Sequence, residues 1–367
     1  MKIRKRIRIK ILPISEIGKS RIKKRREDML TIKDLARKLN VSPATVSKAL
    51  NGYKDINPET AAKIREAAKE LNYRPNVAAR QLKTNTSHNI GVLFVDDTMC
   101  GLTHEYFSQI LNSAKEEFER LGYDMTFISQ NIARSKASFL EHAKYRNCDG
   151  VLIASVDFTS QQVIDLVNSD IPTVTIDYPF PGKSAILSDN VKGMHDLTAY
   201  LLEMGHRRIA IIHGEETLVT KKRLNGFVRA LREWDVVIPD TYRVAGIYHD
   251  TRSSAEATRK LMELPEPPTA IMYPDDFAYL GGMAELEKMG ISVPEQVSVT
   301  GYDGIHLSQV LRPKLTTYYQ DSGAIGKLSA GKLVELIENK KDAVAEDINV
   351  SGRLLLGNSV RNLKEVR

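Results

Sequence analysis

The sequence predicts a small all-α head that contains a helix-turn-helix, followed by an α/β body of two lobes with parallel sheets. Three observations predict this fold class. Residues 29–74 hold three short segments with helical periodicity, residues 89–367 alternate strand-like and helix-like segments, and 367 residues exceed one ordinary core. The longest apolar runs, such as Ile90–Val95, have the length of a strand, so we predict no membrane span.

Basic and acidic residues are unevenly distributed along the chain. Residues 1–88 carry 23 Lys and Arg against 8 Asp and Glu, whereas the remainder carries 30 against 38. A basic head on an acidic body is typical of a polyanion-binding protein, although a solvated basic tail is the alternative. Cys100 and Cys148 lack metal-ligand spacing, so we predict no metal and no cofactor, and a reducing cytoplasmic location.

Residues 1–28 form a basic extension. The apolar stretch Ile9–Ile17 is interrupted by Lys10, Pro13 and Glu16, which excludes the uninterrupted core of a secretory signal. We expect the extension to be disordered or to precede the true start of translation, because Met29 stands where the first folded element begins.

The first two helices of the head, residues 29–74, are predicted from periodicity and capping. Ile32, Leu35 and Leu39 lie on one helical face, and Asn40 follows as a residue that tolerates a tight turn. Ser42 then supplies an N-cap, and a proline occupies the first position of the second helix. The outer face of this second helix carries small polar and basic side chains: Ala44, Thr45, Ser47 and Lys48.

A third helix begins at Asn57-Pro58, which completes the arrangement of a helix-turn-helix. In such a unit the second helix enters the major groove, where Ser, Thr and Lys side chains meet base edges. The alternative is a small helical subdomain that does not bind DNA. The basic charge of the same segment favours DNA binding.

The head resembles that of the lactose-repressor (LacI/GalR) family, through the stretches Thr31–Ala36, Val41–Gly52 and Leu71–Leu82. Lys48 stands where the family frequently has Arg. Lysine cannot make the planar, two-pronged hydrogen bonds of an arginine guanidinium, so we expect a different preferred base at that position. The resemblance implies that these residues contact DNA: Thr31, Ser42, Ala44, Thr45, Ser47, Lys48, Asn51, Tyr73, Asn76, Ala79, Leu82 and Lys83.

Residues 75–88 are predicted to be a hinge and linker. The segment Val77–Leu82 is too short to be a stable helix alone. In the family the hinge becomes helical on DNA, pairs with its twin and wedges a leucine into the minor groove, a position that Leu82 matches. The alternative is that Leu82 is an ordinary linker residue.

The body, residues 89–367, places polar residues just after predicted strands. Asp177 follows one strand, Asp275 and Asp303 follow two others, and Arg223 opens a helix. Parallel sheets bind ligands beyond the carboxyl ends of their strands, so these groups are candidates for binding the hydroxyls of a sugar. Taken singly, each fits a loop turn or a helix cap better than a ligand contact.

The family resemblance extends over the body through Met204–Ala210, Arg223–Phe227, Val299–Asp303 and Leu315–Asp321, and implies a periplasmic-binding-protein-like fold. At position 275 the family frequently has Asn, so the hydrogen bonding there is open. An anionic effector would be repelled by Asp275, although Arg223, Lys221 and Lys222 could offset this. The resemblance implies an effector site of these residues: Tyr106, Phe107, Asp177, Arg223, Tyr248, Asp275, Asp303 and Gln320.

These features predict a sequence-specific DNA-binding transcription regulator, a repressor by the family's default, and not an enzyme. Two chains would pair on a pseudo-palindromic double-stranded operator, and a sugar-like effector would close the cleft and respace the hinges allosterically. The absence of a C-terminal heptad run favours a dimer over a tetramer.

Three alternatives compete with this hypothesis. A protein co-regulator would keep the DNA function without a sugar. A solute-binding protein would carry a signal peptide and no head. An α/β enzyme would carry a motif such as GxSxG, GxxxxGK[ST], HExxH or GxGxxG after a strand, which the sequence lacks.

Overall fold

The computed structural model describes residues 30–50, 55–73, 86–95 and 101–364. The chain divides into two compact units, Met1–Thr86 and Ser87–Arg367, which we call the head and the body. The division falls inside the predicted linker, residues 75–88. Within the described residues, no helix is long and apolar enough to cross a membrane.

The head contains the three predicted helices, α1 (Ile32–Lys38), α2 (Pro43–Leu50) and α3 (Pro58–Glu70). Thr31 and Asp34 cap the start of α1 reciprocally, and Asn40 adopts the left-handed conformation with φ 52° at the turn before α2. The buried side chains come from all three helices: Leu35, Ala36, Val46, Ala49, Ala61, Ile64 and Ala68.

The described part of the body alternates strands and helices. The strands are β1 (Asn89–Phe94), β2 (Asp124–Phe127), β3 (Asn131–Ile132), β4 (Ser135–Lys136), β5 (Gly150–Ser155), β6 (Thr173–Ile176), β7 (Ser184–Ser188), β8 (Ile209–His213), β9 (Arg243–Ala245), β10 (Ala270–Met272), β11 (Ser298–Asp303), β12 (Thr316–Tyr319), β13 (Asp347–Val350) and β14 (Arg353–Leu355). The helices are α4 (Glu105–Leu121), α5 (Phe139–Tyr145), α6 (Gln161–Val167), α7 (Asn190–Glu203), α8 (Leu218–Glu233), α9 (Thr251–Met262), α10 (Tyr279–Lys288), α11 (His306–Val310) and α12 (Ser322–Glu338).

Twelve of these strands form two six-stranded sheets, one in each lobe, and β3 and β4 form a separate antiparallel pair. The first has the order β13-β7-β6-β5-β1-β2 and is parallel throughout, and the second has the order β14-β12-β11-β10-β8-β9. The predicted fold class is confirmed, with one departure at an edge, where β14 pairs with β12 antiparallel. Strand β14 follows β13 of the other sheet after only two residues, enters this sheet beside the carboxyl end of β12, with Arg353 opposite Tyr319, and therefore runs in the opposite direction.

The described chain passes between the lobes at three places. These are between β7 and α7, between β12 and α12, and between β13 and β14. Helix α12 returns to the first lobe and packs along α4. The two lobes are therefore interleaved in sequence. Residues at the first two crossings contact loops at the carboxyl ends of the strands: Ser188 binds Asp177, Asn190 binds Arg223, and Gln320 binds Asp303.

His206 fastens the C-terminal segment to the second lobe. Its ring is buried, with Nδ1 at 2.9 Å from Thr269 Oγ1 and Nε2 at 3.1 Å from the Arg361 carbonyl oxygen. Burial lowers the pKa of His206 to about 4 from the ordinary 6.5, although the hydrogen bond to Arg361 opposes this. The folded body therefore takes up a proton less readily than the unfolded chain between these two pH values.

We expect the free energy of unfolding of the body to fall by about 3 kcal/mol as the pH drops from about 6.5 to about 4, because protonation of His206 favours the unfolded chain. Urea unfolding between pH 7 and pH 4 measures this loss. His206→Gln should be less stable at pH 7 and should lose part of this dependence. His306→Gln, at an exposed position, is the control, and the same pH dependence in both variants would contradict the assignment.

Candidate functional site

A cavity of about 420 Å³ opens in the body at the carboxyl ends of the parallel strands of both six-stranded sheets. Its walls come from the segments after β1, β5 and β6 in the first lobe and from the ends of, or the segments after, β8, β9, β10, β11 and β12 in the second. The structure brings together at this cavity all the predicted effector residues: Tyr106, Phe107, Asp177, Arg223, Tyr248, Asp275, Asp303 and Gln320.

Arg223 is the central charge of the cavity. It lies in the second turn of α8, and not at the start of the helix as predicted, because the helix begins at Leu218 with Thr217 as its cap; its side chain is buried. Its Nε donates to Asn190 Oδ1 at 2.9 Å and its Nη1 donates to the Pro274 carbonyl oxygen at 2.8 Å. The guanidinium also lies 3.7 Å from the centroid of the Tyr302 ring. These contacts fix its orientation.

Asp303 and Asp177 flank this guanidinium in left-handed backbone conformations, with φ 98° and 59°. Asp303 is the last residue of β11, and not beyond the strand as predicted, and its Oδ1 lies 3.7 Å from Arg223 Nη2 and accepts from Gln320 Nε2 at 2.7 Å. Burial raises the pKa of Asp303 to about 7, and Arg223 opposes the rise. Non-glycine residues at such φ values persist only where the surroundings hold them.

Asp177 is held by the first crossing between the lobes. Its Oδ1 accepts from the Ser188 backbone N–H at 2.6 Å, and its Oδ2 accepts from the Ser188 hydroxyl at 3.2 Å. Burial raises the pKa of Asp177, whereas these hydrogen bonds and Arg223 lower it. The carboxylate is thus a fixed acceptor at the cavity wall.

Asp275 uses both of its oxygens on the backbone. Oδ2 accepts from the His249 N–H and Oδ1 from the Ala278 N–H, each at 2.7 Å. These two bonds explain Asp at position 275, where the family frequently has Asn. Two backbone N–H groups need two acceptor oxygens, and an Asn side chain would offer only one. Asp276 is outside the lining; it accepts from Ile305 N–H at 2.9 Å and Thr317 Oγ1 at 2.6 Å.

Aromatic side chains form much of the remaining wall. Tyr106 and Tyr248 were predicted, and their hydroxyls hydrogen-bond to Ser188 Oγ at 3.3 Å and to Thr220 Oγ1 at 2.8 Å. Lys221 and Lys222, expected to offset the carboxylates, do not line the cavity. Lys222 nevertheless lowers the pKa of Asp177 through its charge.

Several lining residues were missed from the sequence. The Phe158 and Tyr178 rings stack at 4.6 Å between centroids, and the His104 and His249 rings stack at 3.9 Å. Phe158 and Tyr178 follow β5 and β6 closely, so the rule that selected Asp177 was sufficient to find them. His104 and His249 lie in loops whose path the local sequence does not indicate.

In the head, most of the described candidate residues lie on or beside α2, and two lie at the other helices. Ser42 Oγ accepts from the Thr45 N–H at 3.0 Å and caps the helix, whereas Ala44 and Lys48 are exposed and Ser47 is half-buried. Thr31 caps α1 through Asp34, and Tyr73 is half-buried after α3. Other predicted DNA contacts lie outside the described residues: Asn51, Asn76, Ala79, Leu82 and Lys83.

Comparison with known proteins agrees with both units. The model for bacterial regulatory proteins of the lacI family matches residues 31–76, and a periplasmic binding protein-like domain matches residues 198–360. The HTH-type transcriptional repressor PurR of Haemophilus influenzae (strain PittEE) is 31% identical over 342 residues, covering 91% of this chain and 100% of that protein. The chain belongs to the LacI family.

Two further likenesses support this assignment and the fold. The probable HTH-type transcriptional repressor ExuR of Bacillus subtilis (strain 168) is 32% identical over 339 residues, covering 91% of this LacI-family chain and 99% of that protein. The Lac repressor dimer bound to operator and the anti-inducer ONPF has a TM-score of 0.75 at 23% identity, covering 91% and 99% of the two chains. The predicted family is confirmed, and the chain is a DNA-binding transcriptional regulator.

In this LacI-family head, Lys48 forms an ion pair with Asp55 between two exposed side chains. A lysine that reads a base has to leave this partner. We expect Lys48→Ala to weaken operator binding by about tenfold, the value of one base contact, and Asp55→Asn to strengthen it by removing a negative charge beside the duplex. Fluorescence anisotropy with operator DNA measures both. Lys69→Ala, at the end of α3, is the control, and a Lys48 variant that binds like it would contradict the assignment.

Proposed function

We propose that this chain is a homodimeric repressor whose affinity for a pseudo-palindromic operator is controlled by a small sugar or sugar derivative bound in the body's cavity. The observation that carries the proposal is the convergence of the eight predicted effector residues on one cavity of about 420 Å³, a size suited to a small molecule. The relatives named above are repressors, which supports repression for this chain.

The chemistry of the wall suits a ligand rich in hydroxyl groups. Carboxylates of Asp177 and Asp303 accept hydrogen bonds from hydroxyls, and aromatic faces such as Phe158 and Tyr178 contact the C–H face of a sugar ring. Among the described residues, the buried Gln320 Oε1 accepts no hydrogen bond. An unpaired buried acceptor is costly, and a ligand hydroxyl would remove that cost.

The ligand contacts adjoin the segments that join the lobes. Ser188 and Asn190 flank the first crossing and bind Asp177 and Arg223, and Gln320 lies in the second. A ligand that draws these groups together changes the angle between the lobes, and this change alters how readily the two hinges of a dimer fold on DNA. Effector binding in the cavity is thereby coupled to operator binding by the head. Because these contacts lie at a cavity of about 420 Å³, they favour a small molecule over a protein co-regulator as the effector.

A thermal-shift scan of the full chain against neutral sugars, amino sugars, sugar acids, sugar phosphates and nucleobases tests the proposal. A ligand at 100 times its Kd stabilises the folded body by about 2.7 kcal/mol, which a melting curve resolves. The hit should then alter operator binding in a gel shift. No shift with any sugar would contradict the sugar effector; a nucleobase hit would replace it, and silence throughout would favour a protein co-regulator.

Leu82→Ala is expected to weaken operator binding by at least about tenfold while leaving effector binding unchanged, because a wedged leucine supports DNA bending that alanine cannot. Gel shifts with operator DNA and calorimetry with the effector measure the two properties. Thr84→Ala, two residues further along, is the matched control. Equal operator affinity for the two variants would contradict the hinge assignment.

A further inference from the structure

The described lining of the cavity contains more acidic than basic side chains. Five carboxyl groups contribute to it, of which Asp157 and Glu215 are exposed and Asp303, with a pKa of about 7, is partly protonated at neutral pH; one guanidinium, that of Arg223, opposes them. Two imidazoles, His104 and His249, also lie in the wall. The carboxylates are Asp157, Asp177, Glu215, Asp275 and Asp303.

Arg223 is already engaged by the protein. Its Nε and Nη1 donate to Asn190 and Pro274, and its Nη2 faces Asp303 at 3.7 Å. An anionic ligand that sought this guanidinium would compete with Asp303 and would approach Asp177 and Asp275 as a like charge. In a buried site that repulsion is weakly screened, so it discriminates strongly against the wrong charge.

The carboxylates cannot readily turn away from such a ligand. Asp177 is held by the backbone N–H and hydroxyl of Ser188, Asp303 by the Gln320 amide, and Asp275 by two backbone N–H groups. Their free lone pairs accept hydrogen bonds from O–H or N–H groups. The wall therefore matches a ligand that donates hydrogen bonds and carries no negative charge.

We propose that the effector is an uncharged or amine-bearing sugar, and that Asp177 is a specificity-determining residue that excludes uronates and sugar phosphates. This inference rests on the proposed sugar effector and restricts its chemical class. Glu215 and Asp157 already accept backbone hydrogen bonds: Glu215 Oε2 accepts from Tyr248 N–H, in the loop after β9, at 3.0 Å, and Asp157 Oδ1 accepts from Thr159 N–H, in its own loop, at 2.9 Å.

Asp177→Asn removes this charge with little change of structure. The amide oxygen replaces Oδ1 as acceptor for the Ser188 N–H, and the amide nitrogen donates to the Ser188 hydroxyl in place of Oδ2. Asn also tolerates the left-handed conformation. Asp275→Asn is a poorer choice, because it would leave one backbone N–H facing an amide nitrogen.

The test is calorimetric titration of the full chain with matched forms of glucose, galactose and mannose: the neutral hexose, the 2-amino sugar, the uronate and the 6-phosphate. Binding confined to neutral or amino members is the expected result. Binding of a uronate or a 6-phosphate at least as tight as its neutral counterpart overturns the charge selection and leaves the sugar effector intact. No binding by any member contradicts the hexose effector itself, which is a distinguishable failure.

The same series with Asp177→Asn assigns the residue. The affinity ratio of uronate to neutral hexose should rise by about tenfold, and that of amino sugar to neutral hexose should fall by a similar factor, as expected for one charge near the ligand. Asp165→Asn, on the exposed face of α6, is the control. Unchanged ratios in Asp177→Asn overturn the role of Asp177, because a purely structural defect would weaken all members alike.

Discussion

Arg223→Met is expected to weaken effector binding by at least about a hundredfold and to destabilise the body by about 3 kcal/mol, the cost of leaving a buried charge without its partner. Methionine fills similar space but provides no donor for Asn190 Oδ1 or the Pro274 carbonyl oxygen and no charge beside Asp303. Both the ligand wall and the first crossing between the lobes depend on those contacts.

Urea unfolding and calorimetry with the effector identified by the thermal-shift scan measure these losses. Lys221→Met, an exposed substitution two positions earlier on α8, is the control and should change neither. Adding Asp303→Asn to Arg223→Met should restore part of the stability, because it removes the charge left unpaired. Wild-type stability in Arg223→Met would contradict the central role of this guanidinium.

Val46→Asp is expected to abolish operator binding while leaving effector binding and the unfolding of the body unchanged. Val46 is fully buried in the core of the head, and an unpaired carboxylate there costs about 4 kcal/mol or more, which is a large fraction of the stability of so small a unit. The head and the body are separate compact units, so the damage should stay within the head.

Circular dichroism melting, operator anisotropy and effector calorimetry separate these outcomes. Ala62→Asp introduces the same carboxylate on the exposed face of α3 and is the matched control. A shift in the melting of the body or in effector affinity with Val46→Asp would show that the two units are not energetically independent.

Local sequence was sufficient to determine the class of each unit. Apolar spacing of 3.6 residues and the caps Thr31 and Ser42 specify the helices of the head, because both signals act within one turn. In the body, alternating strands and helices predicted parallel sheets, and the position after a strand end selected Asp177 and Asp275 for the cavity. Family resemblance added Tyr106, Tyr248 and Gln320, which the structure also places at the cavity wall.

Only the tertiary structure decided how those groups interact. The partners of Arg223 come from positions 190, 274 and 303, and Gln320 meets Asp303 only because the chain crosses between the lobes and returns. The antiparallel pairing of β14 and the stacking of His104 on His249 arise in the same way. Contacts between distant segments depend on which surfaces are buried together, and burial also sets the pKa of Asp303 near 7. Periodicity and spacing report on one element at a time, so they cannot indicate which charged side chains share one cavity.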